Sequence, residues 1–280
     1  MHRAPATSVP DSPEVRMMLL QASTLANAFK ESEALAVYQE IIKKAPNHYL
    51  ALCQATALSV KIGRRYSDET RKAAYFDAAR QYADRALLLQ PEGGESNYAV
   101  ALALFNQATL YNAGARLVAF RDLRSHVYLA AQRRPSDPEA WQLLGRWQYR
   151  VAHYNVLERL YSKLTLGGVP NGGDSRTALE SMETAHGLAH QNLQISYDLA
   201  RMCNYQGRRR RAIEVLKEAV KIPAITSEDL VLSRLCRQML PVLVRADARR
   251  QRRLARSSPP AAQPEQEATR PPVEASKKPE

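Results

Sequence analysis

Five segments of the chain carry one helix-face spacing, and this repetition constrains the fold more than any other feature. Residues 34–46 read ALAVYQEIIKKAP, residues 78–91 read AARQYADRALLLQP, residues 123–135 read LRSHVYLAAQRRP and residues 212–223 read AIEVLKEAVKIP. A fifth segment, ALESMETAHGLAH at residues 178–190, keeps the offsets without the proline. The pattern is clearest in Ala79, Ala83 and Ala86, in Ala178, Met182 and Ala185, and in Ala212, Leu216 and Ala219. Steps of four and then three residues place such a set on one face of a helix. The small residues let a neighbouring helix approach closely, and the larger one fills the space between. The proline that follows cannot continue the helix.

Such a segment, repeated at about 34 residues, is the second helix of a tetratricopeptide unit. First helices accompany it. AWQLLGRWQY has Trp141, Leu144 and Gly145 at the first-helix spacing, and a glycine inside a helix costs about 1 kcal/mol relative to alanine, which implies a packing reason. SYDLARMCNYQGRRRRAIEVLKEAV forms a full unit: Leu199 and Ala200 pack, Gly207 makes the turn, and Ala212 opens the second face. No alternating strand pattern persists, and helix-forming residues dominate. The expected class is all-α: a tetratricopeptide-type helical-repeat solenoid with a helical insertion in the penultimate repeat and a C-terminal capping helix from Ser227. Residues 14–244 are assigned to the repeat domain and 245–256 to a basic helical extension. Residues 1–13 and the proline-rich residues 257–280 are expected to be disordered.

The insertion spans residues 154–166 and ends in GGVPNGG. Glycines before a helix raise the question of a phosphate-cradling loop. That loop needs Lys and Ser or Thr directly after its last glycine, and here Asp174 follows. Asp174 or Ser175 reads instead as the N-cap of the next helix. The spacing leaves open whether the inserted helix covers a groove or lies outside it.

The wording of this region is also distinctive. Residues 144–149 (LGRWQY), the glycine–proline loop at residues 168–170 and residues 223–229 (PAITSED) resemble the regulator of microtubule dynamics protein family and its bacterial homologues. The similarity runs over residues 32–243 and is most specific from 141 to 229. The resemblance implies a helical-repeat protein without a known catalytic centre. It also implies binding: to microtubules, to partner proteins at organelle contacts, or to phospholipid in a helical groove.

In such solenoids the first helices line the concave face. Stepping from the packing residues gives the expected partner-binding positions: Asn106; Gln142, Arg146 and Tyr149; Tyr197, Arg201, Asn204 and Tyr205. Arginine offers a planar fork to carboxylate or phosphate, amides grip a peptide backbone, and tyrosine adds contact area at low entropy cost. The same residues are also compatible with a solvated helix face. The formal net charge of +12 favours acidic partners. Two basic clusters contribute to it. Arg208, Arg209, Arg210 and Arg211 follow Gly207 in a turn. Arg245, Arg249, Arg250, Arg252, Arg253 and Arg256 read either as a solvated helix end or as an anion-binding arm. That run contains no aromatic residue, so base stacking is unsupported and nucleic acid is not the expected partner.

Chemistry is sparse. His186 and His190 lie four residues apart, but a zinc site needs further ligands. Cys53, Cys203 and Cys236 stand alone in apolar stretches, so no redox pair or metal knuckle is suggested. No nucleophile motif appears, and neither a metal nor a cofactor is expected. No apolar run reaches the ~18 residues needed to span a membrane. The N-terminus lacks a secretory pattern, so a cytoplasmic location is expected unless the true start lies upstream. The expected function is a non-catalytic scaffold that takes an acidic protein or peptide segment in its concave groove, aided by the C-terminal arginines. The alternative is a phospholipid or fatty-acid carrier with anionic lipid between stacked helices.

Overall fold

A computed structural model describes residues 12–257, and the expectations for residues 1–11 and 258–280 lie outside it. The described residues form twelve helices in antiparallel hairpins. The pairs are α1 (Pro13–Asn27) with α2 (Glu31–Lys44), α3 (Tyr49–Gly63) with α4 (Glu69–Leu89), and α5 (Gly94–Gln107) with α6 (Ala113–Arg133). Then α7 (Pro138–Ala152) pairs with α9 (Ser175–Leu188), the inserted α8 (Val156–Thr165) lying between them in the chain. The last pair is α10 (Leu193–Tyr205) with α11 (Arg209–Ala219), and α12 (Ser227–Ser257) packs on both as a cap. The chain is an all-α solenoid of helical repeats.

The repeated small residues sit where the pattern puts them. Ala34, Ala79, Ala178 and Ala212 open the core-facing stripes of α2, α4, α9 and α11, and all four are fully buried. The core is a series of overlapping local clusters, each shared by adjacent hairpins. That is the expected form of a repeat array, in which each unit contacts only its neighbours. Cys53, Cys203 and Cys236 are buried free thiols within it. Burial pushes the Cys203 and Cys236 thiols up to about 11.

The α7–α9 hairpin shows why a first helix carries glycine. A Cβ at Gly145 would lie 3.1 Å from the Ala178 carbonyl oxygen and 3.3 Å from the Met182 amide nitrogen. Both are backbone atoms and cannot swing aside. Leu144 is buried next to it, and Trp141 is half-buried, its indole N–H donating to the Pro135 carbonyl at 2.9 Å. Gly207 adopts φ +75° in the α10–α11 turn, a left-handed conformation that favours glycine.

The insertion is placed by polar contacts more than by burial. Asn155 and Glu158 cap α8 reciprocally. The helix lies against the start of α6, a second helix, and its Glu158 pairs with Arg150 of α7. Its Leu157, Leu160 and Leu164 remain exposed. In the glycine loop, Gly167, Gly168 and Gly172 have φ of +73°, +118° and +93°. The Tyr128 hydroxyl donates to the Gly172 carbonyl at 3.1 Å, and Arg124 Nε donates to the Asn171 carbonyl at 2.7 Å, fastening the loop to α6. The Asp174 carboxylate accepts from the backbone N–H of Arg176 and Thr177 at 3.0 Å. It occupies the donors an anion would need at that helix start. The glycines therefore serve backbone geometry.

Gly145→Ala is expected to destabilise the protein by about 1–3 kcal/mol through overpacking against backbone. A lowered midpoint in urea unfolding checks this. An unchanged midpoint would mean that α7 and α9 can separate without cost.

Candidate functional site

In a helical-repeat solenoid the first helices line a concave face, and side chains from α5, α7, α10 and the capping α12 lie near the end of α3. Arg64, directly after α3, registers the convergence. It keeps contact with solvent, yet its guanidinium is held below the usual arginine value, first by the surrounding protein and then by Arg146 of α7. Asp198 of α10, Tyr98 of α5 and Glu228 of α12 act on the same group with the opposite sign. Arg64 remains fully charged at neutral pH.

Beside Arg64, Arg65 ties the two ends of the curve together. Its guanidinium donates to Glu31 of α2 at 3.0 and 3.2 Å and to Glu228 of α12 at 2.8 Å. Lys61 Nζ adds a 2.8 Å ion pair to Glu31. Burial alone would raise the Glu31 carboxyl. The hydrogen bonds from Arg65 and Lys61 outweigh it and hold the group at about 2.

At the centre, Asp198 is buried between α7 and α10. It accepts from the Gln142 amide at 2.9 Å and pairs with Arg146 Nε at 3.0 Å. Nothing in the one-dimensional spacing distinguishes Asp198 from a solvated acid. Its partners are set by the register of two helices, with Gln142 and Asp198 standing 56 residues apart in the chain. Gln142, expected to face solvent, is instead buried, because its amide satisfies this carboxylate. Arg146 lies 6.0 Å from the Phe105 ring centroid and is spent on Asp198. Asn106 turns inward on its own helix, donating to the Leu102 carbonyl at 2.7 Å.

The remaining expected residues form an aromatic and cationic edge. Arg201 stands over the half-buried Tyr197 ring at 5.6 Å and makes no ion pair among the described residues. Tyr149 stacks on His153 at 4.0 Å and meets Tyr205 edge-on at 6.4 Å, while burial raises the Tyr149 hydroxyl above its ordinary value. Tyr205 is largely exposed and Asn204 half-buried. Two groove residues escaped the stepping rule. Tyr98 lies under Arg134 at 4.6 Å and donates to Glu139 at 2.8 Å. Arg64 falls outside its helix, so no heptad-like offset could reach it.

The basic extension continues α12 without a break. Arg245 donates back to the Pro241 carbonyl at 3.1 Å. Arg249, Arg252 and Arg253 are exposed, and Arg250 lines a cleft with the arginines after Gly207. The Arg256 side chain lies outside the described residues. His186 and His190 rings stand 5.1 Å apart, and burial lowers His186 below its ordinary value. Among the described residues, no three His, Cys, Asp or Glu side chains gather as a metal site. No described helix is long and apolar enough to cross a membrane.

The family model described as Regulator of microtubule dynamics protein 1-3 matches residues 18–243. The chain belongs to this family. Regulator of microtubule dynamics protein 3 of Mus musculus is 26% identical over 224 residues, covering 77% of this chain and 46% of the mouse protein. The Bos taurus protein is 27% identical over 182 residues, 60% of this chain and 37% of its own length. The chain thus spans less than half the length of these relatives. Among solved structures, a thermophilic TPR protein of Thermus thermophilus superposes with a TM-score of 0.56 at 15% identity. That match covers 79% of this chain and 98% of the other, and it shows the shared fold.

Because the folded Glu31 carboxyl titrates near 2 instead of 4.5, its contribution to stability is complete above about pH 4.5 and is lost as pH falls toward 2. Glu31→Gln is expected to flatten the acid limb of stability measured by urea unfolding from about pH 5 downward. Identical limbs in both proteins would show that the Glu31 pair does not hold α2 to α3.

Proposed function

We propose that this member of the family is a helical-repeat interaction scaffold whose concave face takes an acidic segment of a protein partner. The observation that carries the reading is the distribution of charge in the hollow. Asp198 is spent on Gln142 and Arg146. Arg64 and Arg201 make no ion pair among the described residues. Two available guanidinium forks on a concave surface, with tyrosines beside one of them, suit a carboxylate-bearing extended chain. The partly accessible side chains of this region at Tyr98, Arg146 and Asn204 are polar, which favours peptide over an acyl chain. The exposed arginines of α12 contribute longer-range attraction that salt screens. The relatives' name attaches to microtubule dynamics, and co-sedimentation with purified microtubules tests whether that partner class extends to this chain.

A direct test is fluorescence anisotropy with a labelled peptide of alternating glutamate and tyrosine. Arg64→Glu and Arg201→Glu are each expected to weaken binding about tenfold, on the order of 1.4 kcal/mol, while leaving the helical circular dichroism intact. Ending the chain at Val244 should weaken binding less and flatten its salt dependence. Equal affinity of the wild type and both reversed-charge variants would sink the concave-groove reading. Retention of a phospholipid mass in native mass spectrometry, not displaced by that peptide, would favour the carrier function instead.

A further inference from the structure

Two arginine clusters far apart in the chain meet in space. The turn after Gly207 carries Arg208, Arg209, Arg210 and Arg211, and the C-terminal half of α12 brings Arg250 against it. Together with Asp247 they line a cleft of about 340 Å³. Five arginines therefore face one carboxylate there.

The groups in the cleft are unequally occupied. Arg211 is committed to Glu183 at 2.7 and 2.9 Å and to Glu214 at 3.4 Å. Asp247 accepts from the Gln251 amide at 2.7 Å. Arg208, Arg210 and Arg250 make no ion pair among the described residues. The Arg209 Nε atom is buried and has no hydrogen-bond partner among them. A buried N–H left unmatched costs about 1–3 kcal/mol, and its burial keeps it from a ligand in the cleft unless the Arg209 side chain shifts.

The start of α11 adds to the demand. Its N-cap is Arg208, which supplies no capping bond, and its first turn contains no acid. The unsatisfied N–H groups of a helix start favour negative charge, whereas cationic side chains there are unfavourable. An anion in the cleft would answer the uncapped helix end and the crowded guanidinium groups together.

We infer that the cleft between the α10–α11 turn and α12 is a binding site for a compact, multiply phosphorylated ligand. Planar guanidinium forks match phosphate oxygens in pairs. The cleft's size suits a small polyphosphate. It is lined by no aromatic side chain, so a nucleobase has nothing to stack on. This site is distinct from the concave hollow and stands whether or not the groove takes a peptide. The phosphates could be those of a soluble compound or of a phosphorylated lipid headgroup.

Isothermal titration of the full chain with sodium tripolyphosphate, at fixed ionic strength, tests the inference. Saturable binding of one ligand per chain is expected. R209A/R250A should weaken it at least tenfold. The charge-matched control R121A/R176A, whose arginines sit in exposed pairs with Asp122 and Glu180, should leave it unchanged. Flotation with phosphatidylcholine vesicles, with and without a bisphosphorylated phosphatidylinositol, distinguishes the sources. Capture on the phosphorylated vesicles that is released by tripolyphosphate assigns a headgroup. Tripolyphosphate binding without capture assigns a soluble ligand. Heats no larger than those of sulfate, or equal losses in the two double variants, would overturn the site.

Discussion

The close approach of helices along stripes of small residues is the constraint on which the rest of this structure depends. Ala34, Ala79, Ala178 and Ala212 have no exposed surface, and a methyl group at Gly145 would press on the Ala178 carbonyl at 3.1 Å. Tight hairpins of this kind stack with a small rotation at each step, and the accumulated rotation curves the array. Curvature in turn gathers side chains from α3, α5, α7, α10 and α12 around one hollow. Larger residues in the stripes would separate the helices, and the hollow would lose its shape before any of its own residues changed.

Within the hollow, one buried carboxylate decides which cations are available. Asp198 holds α7 to α10 through Gln142 and Arg146. A buried acid of this kind is tolerated only with such partners, because an unpaired charge would be too costly to bury. Arg146 is consequently a structural side chain as much as a binding one. Under the proposed reading the binding role belongs to Arg64 and Arg201, which make no ion pair among the described residues. The same logic operates at the rim, where Glu31 and Glu228 divide the donors of Arg65 and join the first hairpins to the capping helix.

The net charge of +12 is distributed unevenly between paired and unpaired arginines. Many guanidinium groups are neutralised locally: Arg150 pairs with Glu158, and Arg211 with Glu183. Among the arginines without an ion pair, Arg208, Arg210 and Arg250 gather in the cleft beside α11. Fields from such clustered charge draw acidic ligands toward particular surfaces, which a uniform spread of the same charge would not do.

The sequence by itself determined the repeat class, the second-helix stripes, the glycine at the α7–α9 contact, the left-handed turn at Gly207 and the capping helix from Ser227. These are local properties: a spacing of three and four residues, a proline after a helix, a residue without a Cβ. The glycine loop was legible too, since Asp174 announces a helix cap and repels phosphate. Tertiary structure alone decided that Gln142 is buried, that Asp198 is the partner of Arg146, that Tyr98 lies between Arg134 and Glu139, and that the arginines after Gly207 meet Arg250. The inserted helix likewise found its partners, the start of α6 and Arg150 of α7, only in three dimensions. Each depends on the rotation between successive hairpins and on the register of helices distant in the chain. Side-chain periodicity along a single helix says which residues share a face, and only packing says what that face meets.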